Sequence, residues 1–401
     1  MVSARARLLL PLTAMARGEP LSFRIQREIP LRHAGPDFCW FHPRVAAIPG
    51  AGKQGKPRIV MTLCRHLDAD DHYSGLWYMV TDDLGVTWKG PYEVEHMKAR
   101  PETGGLHSSV HDVTPVWHGK TMRVLAVGGR TLYDAAGKHV SGELGKGGTA
   151  YAVYDPKPDR WSAWSALELP SERMFQNCRS ACSQLHVKPD GTVLVPVYYQ
   201  KVGTPFWAIT VLECRFDGVR MRYVRHGTIL EEDTDRGLAE PSIIFHGGRY
   251  FLTIRHDKRA YVADSRDGLF YQPMKPWRFD DGADLGSINT QQHWVRHTDG
   301  LFLCYTSLRA GNRNIARGRA PIYIARVDTD KLHVLRSTEQ VLIPNRGLML
   351  GNFGAAEVTR DESWVTDAEF LWYSHGYKPT EQGGNGSVWV ARVMWPAPNR
   401  V

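Results

Sequence analysis

The stretch Thr81-Asp82-Asp83-Leu84-Gly85-Val86-Thr87-Trp88 fits the pattern Ser/Thr-x-Asp-x-Gly-x-Thr-Trp at every fixed position. Its spacing is that of a hairpin turn. Asp83 is placed to accept hydrogen bonds from turn amides, and Gly85 takes a backbone angle that other residues resist. Thr87 and Trp88 then begin the next strand, with the indole packed beneath the turn. The stretch marks where a strand pair closes and carries no catalytic chemistry of its own.

Working outward, the same module recurs: an apolar strand, a Gly-containing turn, a second apolar strand, then a turn bearing Asp or Trp. Residues 38–48, 58–63 and 76–80 form the first unit, which leads into the Thr81 turn. The second covers 110–117, 124–128 and 150–154, ending at Trp161. In the third, 182–187, the turn Pro189-Asp190-Gly191 and 193–198 predict a hairpin, continued by 207–215. The fourth runs through 241–245, 250–254 and 260–263 to Ser265-Arg266-Asp267-Gly268, a shortened copy of the opening motif. A fifth has 293–295, 301–306 and 322–327, and a sixth runs from Phe353 through Trp364 and 370–373 to 388–393. The repeat is about 50 residues long, the range of propeller blades. Residues 21–30 are expected to supply a strand that closes the ring against the last unit.

Composition agrees with many short strands and tight turns: Gly occurs 38 times and aromatic residues make up 10% of the chain. The net charge of +8 is spread along the sequence, which favours an anionic partner without gathering a nucleic-acid tail. No zinc finger, aromatic RNA-binding signature or lysine-rich run is present, so nucleic acid is the weaker reading. No apolar run is long enough to span a membrane as a helix. The six cysteines are scattered and do not make a dense disulfide framework. Cys178, Cys182 and His186 have a spacing that can be read as a metal cluster, but small buried strand residues are the preferred reading. A calcium ion bound in the channel stays open, although no acidic loop predicts one; no other metal is predicted, and no cofactor is required. Near the N-terminus, Arg5 and Arg7 precede the apolar run 8–12, and Ala14-Met15-Ala16 resembles a cleavage site. Residues 1–20 are thus read as a signal or N-terminal segment. A secreted or periplasmic location is favoured, and a cytoplasmic one stays open.

The Thr81–Trp88 motif resembles the Asp-box of the sialidase superfamily, whose members are β-propellers. The resemblance implies an all-β fold: a single propeller of about six four-stranded blades, seven at most, over residues 21–401. Sialidases carry a Glu and an Arg on a middle blade and a further Arg later. Glu240-Pro241-Ser242, Arg255, and Arg317 or Arg319 resemble those positions. Other parts of the pattern differ. The first blade reads Trp40-Phe41-His42-Pro43-Arg44, so His42 falls near the first sialidase Arg, while Arg44 is expected on the other face of the strand. His66 falls near the acid/base Asp, closely followed by Asp68, Asp70 and Asp71. The last blade has Asn352-Phe353 where a Tyr nucleophile is expected.

This histidine-centred pattern resembles the propeller ulvan lyases, the rhamnose–glucuronate lyases and related α-L-rhamnosidases. It implies cleavage at or next to a uronic acid in an acidic oligo- or polysaccharide. His42 and His66 would be the catalytic acid/base pair, since imidazole can accept and return a proton near neutral pH. Arg255 and Arg319 would clamp a carboxylate, with His111, Arg179, Glu240, Gln292 and His293 as further substrate-binding candidates. Elimination is favoured over hydrolysis; sialidase-type hydrolysis and a non-catalytic glycan- or protein-binding propeller remain the alternatives. The oligomeric state is not fixed by the sequence.

Overall fold

The structure is a computed structural model that describes residues 21–67, 71–140, 147–372 and 376–400. The expected signal at 1–20 lies outside the described residues. Within them the fold is all-β: six antiparallel sheets arranged as six blades, with short 3-10 turns and no α-helix. Among the described residues no helix is long and apolar enough to cross a membrane.

The first blade comprises Cys39–Ile48, Arg58–His66, Gly75–Thr81 and Lys89–Lys98, paired in chain order. The second is built on His107–His118, Arg123–Tyr133 and Gly148–Asp155. In the third, the innermost strand is broken into Cys178–Arg179 and His186–Val187, both pairing with Thr192–Gln200. A continuous strand was expected over 182–187. Its first residues instead leave the sheet, which frees Cys182 from ladder geometry. Ala239–His246, Arg249–Arg255 and Tyr261–Ser265 form the fourth blade, and His293–His297, Gly300–Tyr305 and Ile322–Asp328 the fifth. In the sixth, Gly354–Glu357, Glu362–Ala368 and Ser387–Met394 are completed by the N-terminal strand Arg24–Arg32, which pairs antiparallel with Ser387–Met394. This is the expected ring-closing strand.

The core is divided in the same way. Each of six apolar clusters fills one space between neighbouring blades, because a single blade cannot bury its own faces. Val45 and Ile59 of the first blade meet Trp364 and Val390 of the sixth. Trp277 and Trp294 are fully buried between the fourth and fifth. Their indole N–H groups donate to Thr253 Oγ1 and to the Ser242 carbonyl, both at 2.9 Å, so neither buried donor is wasted.

The Thr81–Trp88 turn has the predicted chemistry. Asp83 Oδ1 accepts the Thr87 N–H at 2.8 Å and Asp83 Oδ2 the Thr87 hydroxyl at 2.7 Å, while Thr81 Oγ1 accepts the Gly85 N–H at 2.9 Å. Gly85 has φ +83°, in the left-handed region. The copy at Ser265 repeats this, with Asp267 accepting the Leu269 and Phe270 N–H groups.

Candidate functional site

The inner strands share an irregularity that shapes the site. A register shift falls between Phe41 and Arg44, another between His111 and Thr114, and a third between Ala239 and Ser242. Each is a β-bulge on the first strand of a blade, where an extra residue turns its side chain out of the alternation. His42, Asp112 and Glu240 occupy these bulges with φ of +51°, +55° and +44°. Cys182, Asn289 and Gly351 stand at the corresponding points of the other three blades with φ of +57°, +45° and +99°. Five non-glycine residues thus hold a backbone angle that costs on the order of 1–3 kcal/mol each. All belong to one ring at the mouth of the central channel.

Above the ring lies a cavity of about 600 Å³, to which all six blades contribute. Its two sides differ in chemistry. On one, Asp112 lies between two imidazoles. His42 Nδ1 is in contact with one carboxylate oxygen, and His111 Nδ1 donates to the other at 2.8 Å. His111 Nε2 accepts the Thr131 hydroxyl at 2.7 Å. The Tyr73 ring stacks on His111 with centroids 4.5 Å apart, and its hydroxyl is 3.4 Å from Asp71 Oδ1. Burial pulls the His42 pKa down to about 4 against the pull of Asp112, so the ring is neutral near pH 7. Burial would raise the Asp112 carboxyl, but the two imidazoles outweigh it and hold Asp112 well below the carboxylate range. Burial keeps the Tyr73 phenol protonated far above neutral pH.

The other side is cationic. Arg255 pairs with Glu240 and donates to Asn289 Oδ1. Arg236 pairs with Asp257. Arg319 has no carboxylate partner among the described residues; it is 4% exposed and donates to Thr290 Oγ1 at 2.8 Å and to the Asn289 carbonyl. Burial, with Arg255 and Arg317 adjacent, pushes its pKa down to about 9. Arg317 is lowered for the same reasons, burial first and then Arg255 and Arg236. This wall therefore gains from an anion in the cavity.

Of the sequence candidates, His42, His111, Arg179, Glu240, Arg255 and Arg319 line the cavity, as does Arg317. Three do not. His66 is fully buried behind the wall, where its Nε2 is 3.4 Å from Asp71 Oδ1. Asp71 takes the cavity position that had been assigned to His66, and Asp68 and Asp70 lie outside the described residues. Gln292 is a core residue: it donates to Ser287 Oγ at 3.0 Å and accepts from Thr253 Oγ1 at 3.1 Å. His293 faces inward too, with Nδ1 3.0 Å from Ser242 Oγ. Arg44 stays out of the cavity, as expected. The bulge after Phe41 shifts the alternation, and Arg44 ends 1% exposed beneath the ring, its stem against Gly354 of the sixth blade. Asn352 lines the cavity from that blade.

Sequence reasoning did not place Cys182, Tyr73 or Asn289 in the site. A signal was present: a polar residue stands two places before the first regular strand residue in His42-Pro43-Arg44, Asp112-Val113-Thr114 and Glu240-Pro241-Ser242. All six cysteines are free and buried. Among the described residues, the group with metal-ligand proximity is His42, Asp112 and Cys182, and it excludes Cys178 and His186. Asp112 meets the Nδ1 edge of His42, and Cys182 Sγ faces the Nε2 edge at 3.7 Å. The two edges of one imidazole thus join a carboxylate to a thiol, an arrangement that suits proton transfer between them.

No protein-family model matches the chain, and no curated protein matches it in sequence. Solved structures do. A Dyadobacter fermentans protein of unknown function superposes with a TM-score of 0.65 at 14% identity, over 92% of this chain and 99% of that one. The NanB sialidase of Streptococcus pneumoniae gives a TM-score of 0.63 at 10% identity, over 91% of this chain and 70% of that one. Trypanosoma rangeli sialidase, solved with the inhibitor DANA, gives 0.60 at 13% identity; the match covers 92% of this chain but only 59% of the sialidase. At these identities the likeness is one of fold: the chain is a six-bladed propeller whose structural neighbours include sialidases.

Proposed function

We propose that the chain is an enzyme that cleaves an acidic glycan at or next to a sugar carrying a carboxylate. The observation that carries this reading is Arg319, a buried guanidinium without a carboxylate partner among the described residues, facing a cavity whose opposite side holds a neutral imidazole backed by a carboxylate. The sugar carboxylate would sit against Arg319 and Arg317, with Arg255 behind them. The sialidase neighbours support a glycan as the ligand class, although fold alone does not assign chemistry.

On a uronate the favoured reaction is β-elimination. Neutral His42 removes the proton at C5, which the clamped carboxylate has acidified. The electron pair forms the C4–C5 double bond, and the 4-linked sugar departs as its oxygen takes a proton from Tyr73, whose phenol burial keeps protonated. Asp112 stabilises the imidazolium that forms. Asn352 stands where a nucleophilic Tyr was sought, which favours this route, whereas Tyr377, lining the cavity from the same blade, is the hydroxyl left to sialidase-type hydrolysis. Hydrolysis has its own support in Asp71, a carboxyl lining the cavity from the blade on which sialidases keep their acid.

Ulvan, gum arabic and sialylated glycans provide the test, read by absorbance near ~235 nm for an unsaturated uronate and by reducing ends. Absorbance together with chain cleavage supports elimination. Reducing ends without absorbance transfer the reading to hydrolysis, and neither signal on any acidic glycan refutes it.

A further inference from the structure

We propose that Cys182, His42 and Asp112 form a nucleophilic triad, and that the cavity removes acyl groups, esterified to sugar hydroxyls, from the acidic glycan it binds. The acidic-glycan part rests on the function proposed above; the triad does not.

The geometry is that of nucleophile, base and orienting carboxylate. Cys182 Sγ is 3.7 Å from His42 Nε2, and His42 Nδ1 contacts Asp112, which leaves Nε2 with its lone pair toward the thiol. The three come from three different blades and are tied at the backbone too, since the Cys182 N–H donates to the Asp112 carbonyl at 3.2 Å. Cys182 sits at φ +57°, in a break between two strand fragments. A strained turn of this kind is how other hydrolases lift a nucleophile out of a sheet. Of the six cysteines, only Cys182 lines the cavity among the described residues. Cys64 is also near His42, at 3.8 Å, but it meets the Nδ1 edge and donates to the Phe41 carbonyl at 3.7 Å. Its thiol is outside the cavity lining. Arg179, on the same blade as Cys182, lines the cavity, and its Nε has no acceptor among the described residues. It can donate to a developing oxyanion.

Burial raises the Cys182 thiol well above its usual range, so the resting pair is thiol and neutral imidazole. As Sγ attacks the ester carbonyl carbon, the thiol proton passes to His42 Nε2. The C–O bond of the tetrahedral adduct then breaks, the sugar oxygen takes the proton from His42, and a thioester remains on Cys182. Water, deprotonated by His42, attacks the thioester; the acid leaves and the thiol regains its proton. Ester and water give alcohol and acid, with no other reactant.

The test uses the intact protein with p-nitrophenyl acetate, and separately with an O-acetylated uronate oligosaccharide. We expect a p-nitrophenolate burst and an acetyl group located on Cys182 by peptide mass spectrometry after acid quench. C182A should lose both the label and the burst. H42Q should slow acylation by at least about a hundredfold. Because C182A could misfold, C182S provides the second measurement: it should move the acetyl group to the introduced hydroxyl oxygen or abolish labelling with the fold intact by circular dichroism. A burst unchanged in C182A, a burst in C182S without acetyl on the introduced hydroxyl oxygen, or acetyl found in the wild type on residues other than Cys182, overturns the triad. The oligosaccharide separates the two readings. Acetate release without chain cleavage keeps the triad and refutes the glycan-cleaving function, and cleavage without acetate release or label does the reverse.

Discussion

Replacing His42 by Gln should flatten the dependence of stability on pH. The unfolded chain protonates this imidazole near its ordinary value of 6.5, whereas in the folded protein burial lowers the value to about 4. Between these limits the unfolded state binds one more proton than the folded state, so stability rises with pH across that window and is lost as pH falls through it. At about 1.4 kcal/mol per pH unit, the gap is worth about 3 kcal/mol of unfolding free energy. Gln cannot take up the proton. Its absolute stability will fall, because Asp112 keeps only His111 as a partner, so the comparison is of slopes. Urea unfolding followed by tryptophan fluorescence at several values between pH 7 and pH 4 gives both slopes. His186 and His293, which burial also holds low, titrate in both proteins and cancel. The wild type should lose about 3 kcal/mol more than H42Q over the window. Parallel slopes would refute the claim that His42 is buried neutral, and with it the base assigned to the site.

Other consequences are simpler to read. With His42 neutral down to about pH 4, the acid limb of the activity profile should lie near pH 4 and not near 6.5; an inflection at 6.5 would transfer the base role to an exposed imidazole. Arg319→Met should raise KM for a carboxylated substrate roughly tenfold to a hundredfold, the worth of a charge-assisted hydrogen bond, and should leave binding of the methyl ester nearly unchanged. Asp83→Ala removes the acceptor of the Thr87 N–H and hydroxyl and should cost about 1–3 kcal/mol in thermal unfolding, with the kinetics of the folded protein unaltered. Trp294→Ala should cost about 3–5 kcal/mol by opening a cavity between the fourth and fifth blades, read as a lower urea midpoint.

The scaffold was legible because it is written in local chemistry. Asp83 and Gly85 announce a turn wherever they occur with that spacing, and six apolar strand groups follow from alternation and punctuation. The site was legible where a residue type and a strand position sufficed, as for His42, Glu240, Arg255 and Arg319. It failed where the backbone leaves the rule used to read it. Strict alternation would keep residues 42 and 44 on one face, and it is the bulge after Phe41, which consumes a residue, that separates Arg44 from His42. His66 was matched to the acid/base Asp of sialidases, but its side chain is buried in the wall, and Asp71, which has φ +58°, lines the cavity instead. Gln292 and His293 are polar and on or beside an inner strand, and only the packing of Ser287, Thr253 and Ser242 around them shows that they bond inward and not into the cavity. Cys182 was read as a small core residue. Its place beside His42 depends on two blades meeting across the axis, a contact between positions 140 residues apart that no local pattern encodes.

The strand Arg24–Arg32 joins the earliest-made part of the described chain to Ser387–Met394, among the last. On the ribosome the first strand therefore waits without a ladder partner while the blades between are made. Until the sixth blade emerges, Trp40, Val45 and Ile59 lack the neighbours Trp364, Val388 and Val390 that cover them. The ring at the channel mouth inherits this delay, since Gly351 of the sixth blade joins the other five positions only when the circle closes. The cavity, to which all six blades contribute, is therefore complete only after the final strand pairing.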